Sequence, residues 1–200
     1  MNSLYHYDIV MRIKHGVICG VDEAGRGPLA GPVFAAAVVF PEDIYIDGLN
    51  DSKKLTKRKR EAVFEDIMMN AVSFSIARAS VEEIEELNIL NAALLAMKRA
   101  VEGLHIKPDC VLIDGDKLPG LDITSEAVIK GDSTSASIAA ASILAKVTRD
   151  REMVHISREY PQYGFEKHKG YGTKKHYEAL REHGISPVHR LSFLKKLTQP

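Results

Sequence analysis

Four acidic side chains stand where apolar runs of the sequence give way to glycine-containing turns. These are Asp22 and Glu23 after the run 17–21, Asp114 after 110–113, and Asp132 after 127–129. Carboxylates so close to a core are costly to desolvate unless cations or metal ions balance them. Any one of them could be a turn residue or a helix cap. Because strand ends gather functional residues in α/β sheets, the four together predict one shared carboxylate site.

Carboxylates offer only hard oxygen ligands, a set that favours Mg²⁺ or Mn²⁺ over zinc or copper. The sequence has no His-Glu-x-x-His zinc motif, no Gly-x-Ser-x-Gly nucleophile elbow and no phosphate-binding Gly-x-x-x-x-Gly-Lys-Ser/Thr loop. Two ions held about 4 Å apart can activate a water and stabilise a leaving oxygen in phosphodiester hydrolysis. The acids are therefore consistent with a metal-dependent phosphodiesterase.

The segment 20–32 joins two apolar runs and carries Gly25 and Gly27 just after the first two acids. Successive strand side chains point to opposite faces, so the chain is expected to leave strand geometry near Glu23 if both acids serve one site. Glycines permit that departure and let a ligand approach the backbone closely. The alternative is a plain hairpin turn with solvated acids.

Two segments concentrate positive charge, although the net charge of the 200-residue chain is zero. Residues 53–60 hold six Lys and Arg side chains at a predicted helix start, and residues 167–176 combine lysines with Tyr171 between two glycines. Lysines can meet phosphates while an exposed tyrosine stacks on a sugar or base. The alternatives are a solvated helix face for the first segment and an ordinary loop for the second.

Composition predicts a single domain spanning residues 1–200, with 45% apolar and 27% charged residues. Residues 1–15 lack the apolar core of a signal peptide, and no stretch approaches the ~20 apolar residues that span a bilayer. Cys19 and Cys110 adjoin apolar runs, which predicts buried reduced thiols. We therefore expect a cytoplasmic protein without a membrane segment. We also expect a monomer, since no unexplained apolar stripe remains.

The elements that must position these side chains follow from hydrophobic periodicity. Strands are predicted near 17–21, 33–40, 71–79, 110–113 and 127–129, the first two as a hairpin-like pair. Helices are predicted at 56–70, from a capping box at Ser80 and Glu83, and at 88–104, 132–151 and 173–182. The helix 132–151 has Asp132 or Ser133 as its candidate N-cap. Its run of small residues would let it lie very close to the sheet.

Five motifs in order resemble those of the bacterial ribonuclease HII family. They are GVDEAGRG at 20–27, NDSK at 50–53, VLIDG at 111–115, KGDS at 130–133 with SIAAASILAKV at 137–147, and HKGY at 168–171; HRLSF at 189–193 also fits. The match covers residues 16–194. It implies a ribonuclease H-like α/β fold, with a central mixed sheet flanked by helices and a helical C-terminal portion at about 150–200.

The resemblance also implies residue roles. Asp22, Glu23, Asp114 and Asp132 correspond to the family's catalytic, metal-binding acids. Gly25, Arg26 and Gly27 would recognise a ribose 2′-hydroxyl, and Tyr171 would pack on the next deoxyribose. Lys53 would lie near a phosphate. Ser133 and Lys169 are the other implied substrate-binding residues. The 2′-hydroxyl is the one group that separates RNA from DNA at a given position.

The implied reaction is hydrolysis of the RNA strand of RNA/DNA hybrids and cutting on the 5′ side of ribonucleotides in duplex DNA. It leaves 3′-hydroxyl and 5′-phosphate ends and uses two Mg²⁺ or Mn²⁺ ions. Three alternatives remain open: the sister type, ribonuclease HIII; an inactive nucleic-acid-binding module with structural acids; and a carboxylate-metal exonuclease. The sister type is disfavoured by Arg26 and Tyr171.

Overall fold

The computed structural model describes residues 3–49 and 55–195, in which a mixed sheet is flanked by helices on both faces. The strands are β1 (Ile18–Ala24), β2 (Val33–Val39), β3 (Ser73–Ala79), β4 (Cys110–Asp114) and β5 (Thr124–Val128). The α-helices are α1 (Ser3–His15), α2 (Lys57–Asn70), α3 (Val81–Leu87), α4 (Ile89–Glu102), α5 (Ala136–Glu159), α6 (Phe165–His168) and α7 (Lys174–His183). Short 3₁₀ turns lie at Gly131–Ser133, Pro161–Tyr163 and Leu191–Phe193.

The strand order is β3-β2-β1-β4-β5, with β1 at the centre. β2 pairs antiparallel with β1 and with β3, whereas β4 pairs parallel with β1 and with β5. Val21 lies opposite Ile113 in the parallel β1–β4 pair. Each strand's next residue is an acid, so this register brings Asp22 and Asp114 to the same edge of the sheet.

The long helix α5 covers one face of the sheet and packs against β1 and β2, together with α1 and α2. A side chain at Gly20 in β1 would meet the carbonyl carbon of Ser137 in α5 at 2.2 Å. The predicted close approach of the small-residue helix is therefore confirmed. Helix α4 covers the opposite face, where its buried alanines meet β2 and β3. The C-terminal segments α6 and α7 form a smaller core beside the sheet.

Most predicted elements are confirmed, including the capping box at Ser80 and Glu83 and the buried, reduced Cys19 and Cys110. The predicted departure from strand geometry near Glu23 is confirmed: β1 keeps its register with β2 through Ala24, and the chain turns at Gly25, with φ of 106°. The last strand lies earlier than predicted, over Thr124–Val128, because Ile129 is exposed and belongs to the following turn.

Two features of the helices differ from expectation. Residues 3–15 form helix α1, which the polar composition of this segment did not indicate. The N-cap of α5 is Ser135, not Asp132 or Ser133, and the helix runs on to Glu159. Both differences involve Asp8, a buried acid of α1 that accepts hydrogen bonds from the hydroxyls of Ser135 and Ser137 at 2.6 and 2.7 Å. A contact between elements 127 residues apart thus fixes the helix start.

Within the described ranges, no helix is both long enough and apolar enough to cross a bilayer.

Candidate active site

A cavity of about 380 Å³ opens at the ends of β1 and β4, beside the middle of α5. Three of the four predicted acids line it: Asp22, Glu23 and Asp114. Its other walls are the glycine segment 24–27, Tyr171, and Ser142, Lys146 and Arg149 from α5. The sheet register supplies the acids and the helix supplies the floor, so residues far apart in the sequence meet in one concave site.

Asp22 is buried, Glu23 and Asp114 are partly buried, and neighbouring carboxylates help to raise the pKa values of Asp22 and Glu23. Burial raises the pKa of Asp22 well above its ordinary range, and the negative charges of Glu23 and Asp114 add to this, while a hydrogen bond from Ser142 opposes it. Burial also raises the pKa of Glu23, an effect opposed by Arg26, whose Nη1 lies 3.3 Å from Glu23 Oε1. A bound cation would relieve both the desolvation and the mutual repulsion.

Asp132 lies beside this group in the 3₁₀ turn Gly131–Ser133, and it does not line the cavity. Its side chain is buried, and the hydroxyl of Ser133 lies 3.4 Å from its Oδ1. The turn is tied to the acids because the N–H of Gly131 donates to Asp114 Oδ1 at 2.6 Å. The structure therefore brings three acids together in the cavity and holds the fourth in the adjoining turn. Ser133 is exposed outside the cavity.

The donors in the cavity fit a hard divalent cation. Among the described residues, neither sulfur nor imidazole lines it, and the three carboxylates found there offer oxygen ligands of the kind that Mg²⁺ and Mn²⁺ prefer. A different trio, His15, Cys110 and Glu126, has potential ligand atoms within 4.8 Å of one another, at the other end of β4. Sequence spacing did not predict that trio, because each member comes from a different element. Its carboxylate already meets the Lys14 ammonium at 2.6 Å.

The glycine segment turns sharply beside Arg149. At Gly25, φ is 106°, and an added Cβ would lie 2.1 Å from Nε of Arg149. An added Cβ at Gly27 would instead lie 3.6 Å from Cε1 of Tyr171, an ordinary contact. Tyr171 is 45% exposed, and its ring lies beside Gly27 in the cavity. In the part of the chain that the structure describes, the N–H groups of Arg26 and Gly27 donate to no protein atom.

Two predicted lysines lie away from the cavity or outside the described residues. Lys53 belongs to the segment that the structure does not describe. Lys169 has φ of 52°, and its ammonium donates to the carbonyl of Glu166. Burial lowers the pKa of Lys169, with Asp150 opposing this and Lys57 and Lys146 adding to it. A basic cluster of Lys57, Lys146 and Lys169 thus borders the site.

Sequence reasoning missed the buried cations of the site. Arg149 and Arg190 are almost fully buried, and both donate to backbone carbonyls of the segment 25–32. Charged side chains are usually solvated, so pattern alone assigns them to the surface. Arg190 does fall within the motif 189–193, which was the one available signal.

A second missed feature is a chain of buried histidines that ends on Tyr171. The N–H of Ser186 donates to Nδ1 of His189 at 3.0 Å, so the proton of the neutral ring is on Nε2. That Nε2 donates to Nε2 of His176 at 3.0 Å, and Nδ1 of His176 donates to the carbonyl of Tyr171 at 2.9 Å. Burial lowers the pKa of both rings, that of His189 to about 4. Two neutral rings therefore fix the backbone of Tyr171.

Comparison with known proteins agrees with this geometry. The ribonuclease HII family model matches residues 19–196. The chain is 59% identical over 180 residues to ribonuclease HII of Caldicellulosiruptor bescii, covering 90% of this chain and 87% of that protein. It is 57% identical over 194 residues to ribonuclease HII of Marinomonas sp., covering 95% and 98%.

Solved structures give the same fold. Ribonuclease H2 of Pyrococcus horikoshii superposes with a TM-score of 0.73 at 30% identity, covering 88% of this chain and 93% of that one. Bst ribonuclease HIII in complex with Mn²⁺ gives a TM-score of 0.71 at 19% identity, covering 88% and 67%, a likeness of fold alone. The predicted ribonuclease H-like fold is confirmed. This chain belongs to the ribonuclease HII family of ribonuclease H enzymes.

Proposed function

We propose that this ribonuclease H cuts on the 5′ side of ribonucleotides embedded in duplex DNA, as well as within the RNA strand of RNA/DNA hybrids. The products are 3′-hydroxyl and 5′-phosphate ends. One observation carries the proposal: a single cavity is lined by three carboxylates, by Gly25, Arg26 and Gly27, and by the ring of Tyr171. Residues suited to phosphodiester hydrolysis and residues that can distinguish ribose from deoxyribose thus line the same cavity.

The proposed metal ligands are Asp22, Glu23, Asp114 and Asp132. Support comes from the raised pKa values of Asp22 and Glu23, which reflect burial and the repulsion of nearby carboxylates. Mg²⁺ or Mn²⁺ ions bound there, two in the complete site, would supply a nucleophilic water and stabilise the leaving 3′-oxygen. The N–H of Gly131 orients the carboxylate of Asp114. Ser142 and Arg26 hold those of Asp22 and Glu23.

The proposed contacts with the sugar involve the glycine segment and Tyr171, which line the same cavity. The N–H groups of Arg26 and Gly27 are available to an acceptor such as a 2′-hydroxyl, which distinguishes ribose from deoxyribose. Tyr171 lies beside Gly27, so its half-exposed ring can pack on the neighbouring deoxyribose. Lys146 and Lys169 border the site and can meet phosphates, and Ser133 lies on the turn next to Asp132. Lys53, in the motif 50–53 and outside the described residues, is proposed to lie near a substrate phosphate.

The test uses an end-labelled DNA duplex that carries one ribonucleotide, incubated with Mg²⁺, with Mn²⁺ and with a chelator. A single metal-dependent cut on the 5′ side of the ribose is the expected result. An all-DNA duplex of the same sequence controls for general nuclease activity. Cutting of long hybrids alone would contradict the junction activity and indicate the sister type's preference. Digestion from the ends regardless of the ribose would identify an exonuclease instead.

A further inference from the structure

Arg190 is a fully buried cation whose partners are backbone carbonyls. Its side chain is 0% exposed, and its guanidinium donates to the carbonyl oxygens of Gly25 at 2.7 Å, Arg26 at 3.0 Å, Pro28 at 2.9 Å and Gly31 at 2.7 Å. In the described part of the chain, no carboxylate lies within salt-bridge distance of it. Burial lowers the pKa of Arg190 to about 9, and the nearby Arg149 adds to this, so the group is still protonated at neutral pH.

The backbone of Arg190 is joined to the same segment. Its N–H donates to the carbonyl of Leu29 at 2.8 Å, and the N–H of Gly31 donates to Val188 at 2.8 Å. The side chain therefore starts from a fixed point beside the loop that it binds. An apolar residue of similar volume would avoid burying a charge, but it would leave the carbonyls of Gly25, Arg26 and Pro28 without this donor.

Because the peptide groups are trans, these contacts also determine the direction of two N–H groups of the loop. In a planar trans peptide group, the C=O and N–H bonds point in opposite directions, and the chain has no cis peptide bond among the residues described. The carbonyl of Gly25 shares its peptide group with the N–H of Arg26, and the carbonyl of Arg26 shares its group with the N–H of Gly27. Since Arg190 holds both carbonyls, it turns both N–H groups away from the core.

Those two N–H groups lack protein acceptors in the described ranges, and their residues line the cavity. We propose that Arg190 is a positioning residue for sugar recognition, which aims the N–H groups of Arg26 and Gly27 at the ribose 2′-hydroxyl. The inference rests on the proposed junction activity and names the residue that sets its specificity. Arg190 does not touch the substrate; it acts through two peptide groups.

Arg149 provides a matched control. It is as deeply buried and donates to the carbonyls of Pro32 at 3.2 Å, Ala30 at 3.2 Å and Lys169 at 3.1 Å. None of these carbonyls shares a peptide group with the N–H of Arg26 or Gly27. Its replacement by Lys therefore disturbs the same loop and loses a comparable set of buried hydrogen bonds without releasing the two N–H groups.

The experiment measures dissociation constants for two duplexes, one with a single ribonucleotide and one all-DNA, in Ca²⁺ so that binding is read separately from turnover. Arg190→Lys keeps the charge but loses the fork geometry that reaches several carbonyls at once. The dissociation constant for the all-DNA duplex divided by that for the ribonucleotide duplex is expected to fall about tenfold. A change of this size corresponds to the loss of one to two net hydrogen bonds. The same ratio in Arg149→Lys should stay within about threefold of the wild-type value, which is less than the effect of one typical hydrogen bond. A purely structural role would weaken binding of both duplexes equally and leave the ratio unchanged.

A folded Arg190→Lys protein with the wild-type ratio would overturn the inference. Should the variant not fold, amide NMR signals of the wild-type protein decide: those of Arg26 and Gly27 should shift with the ribonucleotide duplex and not with the all-DNA duplex. Equal shifts with both duplexes would also overturn it. If wild-type protein binds the two duplexes equally and cuts neither at a junction, the proposed function itself fails, a result distinct from failure of the Arg190 role.

Discussion

The two walls of the cavity carry buried charge of opposite sign and balance it differently. On one wall, Asp22, Glu23 and Asp114 repel one another, and burial raises the pKa values of the first two. On the other wall, Arg149 lines the cavity and Arg190 lies behind it, and both are buried cations that donate to carbonyl oxygens of the segment 25–32. A bound cation would stabilise the acidic wall, whereas the buried arginines are already solvated by backbone dipoles. One wall is prepared for a ligand, and the other is built for fixed geometry.

Breaking the acidic wall should have the largest effect. Asp114→Asn removes one negative charge while keeping the shape and the hydrogen bond from Gly131. Turnover of a ribonucleotide-containing duplex is expected to fall by at least about 10³-fold, as when one member of a catalytic group is lost. Binding of the duplex should survive, because it depends on the other wall. We expect Asp132→Asn to act in the same direction.

The matched control is Asp116→Asn, which removes an exposed carboxylate two residues further on. Kinetic assays and duplex-binding titrations on all three variants separate turnover from affinity. If folded Asp114→Asn loses affinity along with activity, the division of roles between the two walls is wrong. If it keeps full activity, Asp114 is not a metal ligand.

Breaking the basic wall should cost stability first. Gly25→Ala places a methyl group 2.1 Å from Nε of Arg149 at φ of 106°, and Arg149 is itself fixed by three hydrogen bonds. The expected loss is about 3 kcal/mol in the free energy of unfolding, from backbone strain and overpacking combined. Gly27→Ala, with its nearest contact at 3.6 Å, should cost less than about 1 kcal/mol. Denaturant unfolding curves compare the two; equal losses would mean that the loop can move away from Arg149.

Removing the exposed ring of Tyr171 tests the sugar contact without changing the acids of the cavity or the buried arginines. Tyr171→Ala should reduce the preference for a deoxynucleotide 3′ of the ribose by several-fold, while stability changes by less than about 1 kcal/mol because the ring is half exposed. Cleavage of duplexes with a deoxynucleotide or a ribonucleotide at that position gives the preference directly. Tyr45→Ala, another exposed tyrosine, is the control. An unchanged preference would remove Tyr171 from the sugar site.

The smallest expected effect concerns the histidines behind Tyr171. The pKa of His189 is lowered to about 4 by burial and by the neighbouring His176, whereas an unfolded histidine titrates near 6.5. Unfolding therefore takes up a proton between these values, and stability contributed by the neutral ring is lost as the pH falls from about 6.5 towards 4. The unfolding midpoint should decline less steeply over this range in His189→Gln than in wild type. His155→Gln, at an exposed ring, should retain the wild-type slope; equal slopes in all three would mean that His189 is protonated in the fold.

The predictable parts of the fold are those with a strong local period. The apolar runs predicted β2, β4 and the start of β1 to within one residue, and the capping box predicted the start of α3, because exposure along one element follows its own geometry. Helix α1 was not predicted because Leu4, Tyr5 and Met11, which face the core, are interspersed with polar residues, including the buried Asp8. The N-cap of α5 was not predicted because Asp8, which binds Ser135 and Ser137, is far away in the chain.

The sequence by itself determined the family, the acids at the strand ends and the glycine and tyrosine segments, since residue types in order carry that information. Only the tertiary structure decided that Asp22 and Asp114 share an edge of the sheet, that Asp132 stands in an adjoining turn, and that Arg149 and Arg190 are buried. The physical reason is that burial of a charge depends on which acceptors surround it. The acceptors here are backbone carbonyls, which every residue has and which only the folded path of the chain brings together.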